Sequence, residues 1–164
     1  MGVELACLTV FLLSLLPSFE GRYALVLGVF RGLNPILSML AASAGVILLS
    51  IVLPYAFPKI DDLMVWMLRH GGRFRVKVAS AYLKHVGRIR VKAKPYIGKY
   101  GIPGLIFFVA LPLPSSGVWT GALIAYVLAM SRYKTMAVLL AGGLLSNFIT
   151  LTFTLLGFGL PSPL

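Results

Sequence analysis

Residues 5–23 read LACLTVFLLSLLPSFEGRY. The first twelve carry no charge and look like the start of a membrane helix. Glu20 and Arg22 then fall, after Pro17, where such a helix would have to continue. A helix rises about 1.5 Å per residue and a hydrocarbon core is about 30 Å thick, so a span needs roughly 20 apolar residues. The run is too short to span alone and about right for half a bilayer.

The rest of the chain sets the context. It has 164 residues, of which 59% are hydrophobic and 12% charged, with a mean hydropathy of +0.96. A soluble domain carries about a quarter charged residues, so this composition is that of a membrane protein. Four acidic residues stand against 15 basic ones. Most of the basic residues lie between Lys59 and Lys99, so the net +11 is a local feature and does not point to nucleic acid. One cysteine, Cys7, excludes an intramolecular disulfide, and His70 and His85 have no companions that would make a metal site. The N-terminal apolar run lacks a positive n-region and a small-x-small cleavage site, so it is expected to be retained.

Two uncharged runs are long enough to cross a bilayer, one within 32–58 and one within 135–164. The first contains Ser38, Ala41, Ala42, Ser43 and Gly45, small residues suited to close helix contact. The second holds Ala141-Gly142-Gly143 and Ser146-Asn147. The remaining apolar runs come as interrupted pairs. Leu5 to Leu16 is followed by PSFEGRY and then ALVLGVF; Ile102 to Leu111 is followed by PLPSSGVWTG and then ALIAYVLAM. Backbone interrupted at membrane depth must be buried in protein or line a wet cavity, because lipid cannot satisfy the freed N–H and C=O groups. Both pairs are therefore read as re-entrant hairpins.

Between the halves, KIDDLMVWMLRHGG (59–72) has apolar positions at helical spacing, acids in its first turn, Arg69 and His70 in its last, and Gly71 as a stop. RFRVKVASAYLKHVGRIRVKAKP (73–95) places Phe74, Val78, Tyr82, Val86 and Ile89 on one face and is predicted to end at Pro95. Such a basic amphipathic segment either lies on an anionic membrane surface or simply sets topology by the positive-inside rule. Tyr55, Trp66 and Tyr100 are expected as interfacial anchors.

The expected architecture is an all-α integral membrane protein of two inverted repeats in one membrane domain. Residues 1–58 form the first repeat, with a hairpin at about 4–31 and a span at about 35–54. Residues 59–100 form the cytoplasmic connector. Residues 101–164 form the second repeat, with a hairpin at about 101–131 and a span at about 134–158. With the connector inside, counting places both termini outside a multi-pass protein of the cell membrane. Interrupted segments in corresponding positions of oppositely oriented repeats are where such transporters hold their substrates.

Charge at membrane depth is by default a functional hypothesis. Residues two apart do not face each other on a helix, so Glu20 and Arg22 are expected to look elsewhere. In one reading Glu20 accepts a proton and Arg22 holds a phosphate or carboxylate. In the other, Glu20 caps the second helix of its own hairpin and Arg22 satisfies loop carbonyls of the opposite one. In the second motif Pro112 and Pro114 stop a helix, while Ser115, Ser116 and Gly117 offer donors at the start of the next. Trp119 is a lid on the ligand or an apolar plug between hairpins. The glycines form no nucleotide-binding pattern, and no Ser/His/Asp set can be assembled, so neither a cofactor nor an enzyme is expected.

The two interrupted segments, PSFEGRY and ALPLPSSGVWTGALIA (110–125), resemble the small multidrug export protein family of short prokaryotic membrane proteins. That family is in turn distantly similar to the DedA (VTT-domain) proteins, whose facing re-entrant hairpins are associated with moving lipids. The resemblance implies a transporter of an anionic lipid headgroup, such as a polyprenyl phosphate or phospholipid, or of a small molecule, with proton coupling through Glu20. By the same likeness Pro17, Glu20 and Arg22 carry the first motif. Pro112, Pro114, Gly117, Trp119 and Thr120, with Gly121, carry the second; Ser115 and Ser116 complete the expected binding turn. The expected partners are membrane lipids and a second copy of the chain. The competing expectation is a non-transporting scaffold that binds anionic lipid or a cytoplasmic protein through its basic helices.

Overall fold

The computed structural model describes residues 2–17, 19–112 and 116–158. Side-chain surroundings are described for these except at residues 85, 89–100 and 158. The described residues form six helices and no strand: α1 Val3–Ser14, α2 Glu20–Phe30, α3 Pro35–His70, α4 Arg73–Ala110, α5 Val118–Val127 and α6 Arg132–Phe158.

α1 and α2 are joined by a tight turn in which Phe19 and Glu20 both donate backbone N–H bonds to the Leu16 carbonyl. The turn sends α2 back along α1, so that Val10 meets Gly28. α3 starts on Asn34, whose side chain accepts from the Ile36 N–H at 2.8 Å, with Pro35 in the first turn. It ends at Arg69, His70 and Gly71, as the sequence predicts.

Two predicted boundaries are corrected. The span at 35–54 and the helix at 59–70 are one continuous helix that passes through Pro54 and Pro58. The prolines are four apart and so lie on one face; each removes one hydrogen bond there, which bends a helix without ending it. The predicted end at Pro95 is also displaced, because α4 runs through it and breaks at Gly101, where φ is +59° and ψ is −148°. Glycine alone enters that region without penalty, so the chain turns there rather than at the proline. Beyond the break lies a short apolar helix ending at Ala110.

The packed face of α4 agrees with the predicted one at Tyr82 and Val86 and departs from it at Phe74 and Val78. Phe74 is 79% exposed and Val78 is also exposed, whereas Ala79 and Val86 are buried and Tyr82 is half-buried. The core therefore takes the small Ala79 side of the helix and leaves Phe74 and Val78 among the cations. Burial, and secondarily the Asp61 carboxylate, push the Tyr82 hydroxyl above the ordinary tyrosine range. Ile89 and Tyr100 belong to the residues whose side chains lie outside the description.

α3 and α6 form the most extensive helix contact, and all other helices pack on one or both of them. One core cluster joins Val46, Leu49, Leu53 and Phe57 of α3 to Val109, Val118, Ala122 and Leu139. A second joins Val10, Ala24, Leu25, Val29 and Ala42 of the first three helices. α3 and α6 are both long and apolar enough to cross a membrane. Their outer faces, with Leu40, Ile47, Ile51, Phe148, Phe153 and Leu156, are exposed and apolar, as lipid contact requires and water does not favour.

Candidate functional site

Residues on either side of the turn between α1 and α2 meet residues on either side of the break between α4 and α5. Both charged residues of the opening stretch are buried there, with Glu20 at 8% exposure and Arg22 at 4%. The expectation that they look elsewhere is overturned: Arg22 Nη2 and Glu20 Oε2 form an ion pair at 2.7 Å. The cause is the backbone of Glu20, whose φ of +48° takes it out of the helical screw. Residues two apart diverge on a regular helix, but a left-handed residue at the helix start lets their side chains converge.

The pair also engages the opposite helices. Arg22 Nη1 donates to the Leu111 carbonyl at 2.8 Å, and Arg22 Nη2 donates to the Ser116 carbonyl. Leu111 is the C-cap of α4, so the guanidinium sits at the negative end of that helix. The Glu20 carboxylate lies against Gly117, the N-cap of α5, and so sits at that helix's positive end. Each charge thus complements one dipole and replaces hydrogen bonds lost at the break. Arg22 satisfies the opposite loop's carbonyls, as one sequence reading has it. Glu20, however, caps α5 rather than its own helix α2. The Ser116 hydroxyl adds a 2.6 Å bond to the Leu111 carbonyl and lies 3.4 Å from Arg22 Nη1.

Gly117 makes this approach possible. A Cβ built there would overlap the Glu20 carboxylate, so only glycine lets the carboxylate reach the helix start. Trp119 packs against the main core cluster and donates its indole N–H to the Leu15 carbonyl at 3.3 Å. It thereby fills space between the two helix pairs and satisfies one carbonyl at the end of α1, that of its C-cap Leu15.

Other predicted site residues are placed differently. Pro17 and Pro112 are exposed and Thr120 is half-buried; they shape the turns without joining the ion-pair network. Pro114 and Ser115 lie outside the described residues. Sequence reading missed Asn147 and Ser146, which are 1% and 5% exposed. Both line a cavity of about 10 Å³, the size of one water, together with Glu20, Arg22, Gly117 and Gly143. Asn147 reaches Ser43 at 3.3 Å, whereas the Ser146 hydroxyl has no protein partner among the described residues. Their signal was an uncharged polar pair inside a long apolar run.

No group of three or more His, Cys, Asp or Glu able to hold a metal occurs among the described residues. The chemistry on offer is recognition and charge exchange, performed by one carboxylate, one guanidinium, hydroxyls and helix ends. Residues 20–149, the segment that contains the ion pair and its partners on α4 and α5, match the family described as Putative small multi-drug export protein. The chain belongs to that family. No curated protein and no solved structure matches the chain. The small multidrug export family's description assigns a coarse role in export, and the two apolar spans agree with a membrane location.

Proposed function

We propose that the chain is a small membrane transporter in which the Glu20–Arg22 pair responds to the substrate. The observation that carries this reading is a buried ion pair that caps both broken helix ends of the opposite half. A charge pair of this kind is expensive to bury and is often no better than apolar packing for stability, so its placement between two interrupted helices favours a role in function.

In the proposed cycle, the anionic group of an amphiphile replaces the Glu20 carboxylate on the Arg22 fork, with the 116–117 turn as its second wall. The displaced Glu20 takes a proton, which couples the exchange to the proton gradient. Ser116 and Gly117 set the distance between substrate and helix start, and Trp119 closes the side toward α1. The substrate class is an anionic lipid headgroup, such as a polyprenyl phosphate or phospholipid, or an anionic small molecule.

The two halves support the inverted-repeat part of the proposal. Each runs short helix, short helix, long helix: α1, α2 and α3, then the end of α4, α5 and α6. In this proposal the halves are re-entrant hairpins followed by spans, the ion pair lies near the bilayer midplane, 59–100 is cytoplasmic and both termini are outside. Distant kinship with the DedA proteins and a homodimeric assembly are parts of the same proposal.

Native mass spectrometry of the protein in mild detergent tests the site. A polyprenyl phosphate or acidic phospholipid is expected to stay on the parent and to be lost from Arg22→Ala and Arg22→Lys, since an ammonium cannot reproduce a bidentate fork. Retention of the same lipids on Arg22→Lys, which keeps a positive charge beside Glu20, would show that they sit elsewhere, on the basic helices.

A further inference from the structure

A second cavity, of about 340 Å³, lies between α3, α5 and α6 and is lined by Pro54, Pro58, Ala122, Tyr126, Arg132 and Thr135, with Ala129 and Met130. That volume is within the range of ligand pockets, about 300–1,000 Å³. Its walls are chiefly apolar: the two prolines of α3 face Ala122, and the Phe57 and Tyr126 rings stack beside them at 6.1 Å. Its one full charge is Arg132.

Arg132 is exposed at the start of α6. Its guanidinium lies over the Tyr55 ring, 5.0 Å from the centroid, and no carboxylate pairs with it among the described residues. A guanidinium held over a ring face keeps N–H donors that are not directed at the ring, and these match the oxygens of a phosphate. Asp61 of α3 lies on the side of the cavity marked by the Tyr126 hydroxyl. Lys134, two residues further along α6, is exposed and is not among the residues that line the cavity.

The cavity and the buried ion pair are also joined by one element. α5 begins at Gly117, against the Glu20 carboxylate, and ends two residues before Ala129 on the cavity wall. Its ten residues span about 15 Å.

We propose that this cavity is a second binding site, an entry vestibule for a phosphate-bearing amphiphile. The phosphate is held on the edge of Arg132, and the first part of the hydrocarbon chain lies along Pro54, Pro58 and Ala122. The headgroup then waits one short helix away from Arg22. This assignment rests on the reading of the substrate as an anionic amphiphile, but it concerns a separate set of residues.

Isothermal titration of the detergent-purified protein tests it, with dihexanoyl phosphatidic acid as the probe and dihexanoyl phosphatidylcholine and inorganic phosphate as comparisons. Phosphatidic acid is expected to bind saturably and to weaken roughly ten-fold or more in Arg132→Gln, the loss of a charge-assisted contact. Ala122→Leu, which fills the apolar wall, is expected to weaken it as well, and Lys134→Gln to change it less than about two-fold. Unchanged affinity in Arg132→Gln overturns the site, as does an equal loss in Lys134→Gln, which would mean diffuse surface charge. Inorganic phosphate binding as tightly as the lipid overturns the amphiphile. The titration reads Arg132 and the retained-lipid measurement reads Arg22, so either assignment can fail while the other stands.

Discussion

At the scale of single residues, the fold turns on two side chains and one missing one. Glu20 and Arg22 neutralise each other, but each also needs the helix end it caps, and Gly117 holds the space that lets them reach. Arg22→Ala leaves the Glu20 carboxylate buried and unpaired, an arrangement that destabilises proteins by about 3–5 kcal/mol. Thermal unfolding in detergent should show a large loss for Arg22→Ala. The double variant Glu20→Gln/Arg22→Met, which removes both charges, should recover most of it; a double variant as unstable as the single one would mean that the cost lies in packing. Gly117→Ala is expected to expel the carboxylate from the start of α5 and so to resemble a lost cap plus a lost ion pair, roughly 2–4 kcal/mol. A melting temperature equal to the parent's would contradict the close approach.

At the scale of elements, the helices are held by glycines at their crossings. A Cβ at Gly142 of α6 would stand 2.7 Å from the Val109 Cβ and 2.9 Å from the Ile106 carbonyl oxygen of α4. Neither atom is at the end of a flexible chain, so α4 and α6 would have to separate. Gly142→Ala should therefore cost about 1–3 kcal/mol by overpacking. Gly157, in the same helix, has nothing within 4 Å of a built Cβ, and Gly157→Ala should be neutral or stabilising by up to about 1 kcal/mol. The pair is a controlled comparison, because the same substitution in one helix is expected to change sign; equal shifts in unfolding temperature would remove the crossing as the cause. Much at this scale was legible in the sequence. The interrupted pairs, the Gly71 stop and the two long apolar helices follow from spacing and hydropathy. The continuity of α3 through Pro54 and Pro58 was not legible, because a proline's local penalty is visible in sequence while the packing that offsets it is not.

At the scale of the whole molecule, the proposed orientation makes a testable map. In a Cys7→Ala background, a cysteine at position 2 should react with a membrane-impermeant maleimide added outside intact cells, and one at Lys77 should react only after the membrane is opened. Labelling of position 2 only from the inside would replace the first re-entrant hairpin by a single tilted span and reverse the N-terminus. The candidate site was partly legible at this scale. Glu20, Arg22, Ser116, Gly117 and Trp119 stood out by residue type, yet Ser146 and Asn147 did not, because an uncharged polar pair in a long apolar helix has no partner until another helix is laid against it.

What the sequence by itself determined is the helical class, the two long apolar segments, the interruption of the others and the family. These properties are local or compositional: they depend on runs of neighbours, and neighbours in sequence suffice to state them. Only the tertiary structure decided that Glu20 pairs with Arg22, that Glu20 caps α5 rather than α2, and that Asn147 stands behind Gly21, where a Cβ would come within 2.7 Å of its side-chain oxygen. The last two depend on residues about a hundred or more positions apart, and the first on one left-handed backbone angle that the residue type does not announce. A charge in an apolar chain must find a partner; which partner it finds is settled by how the helices cross.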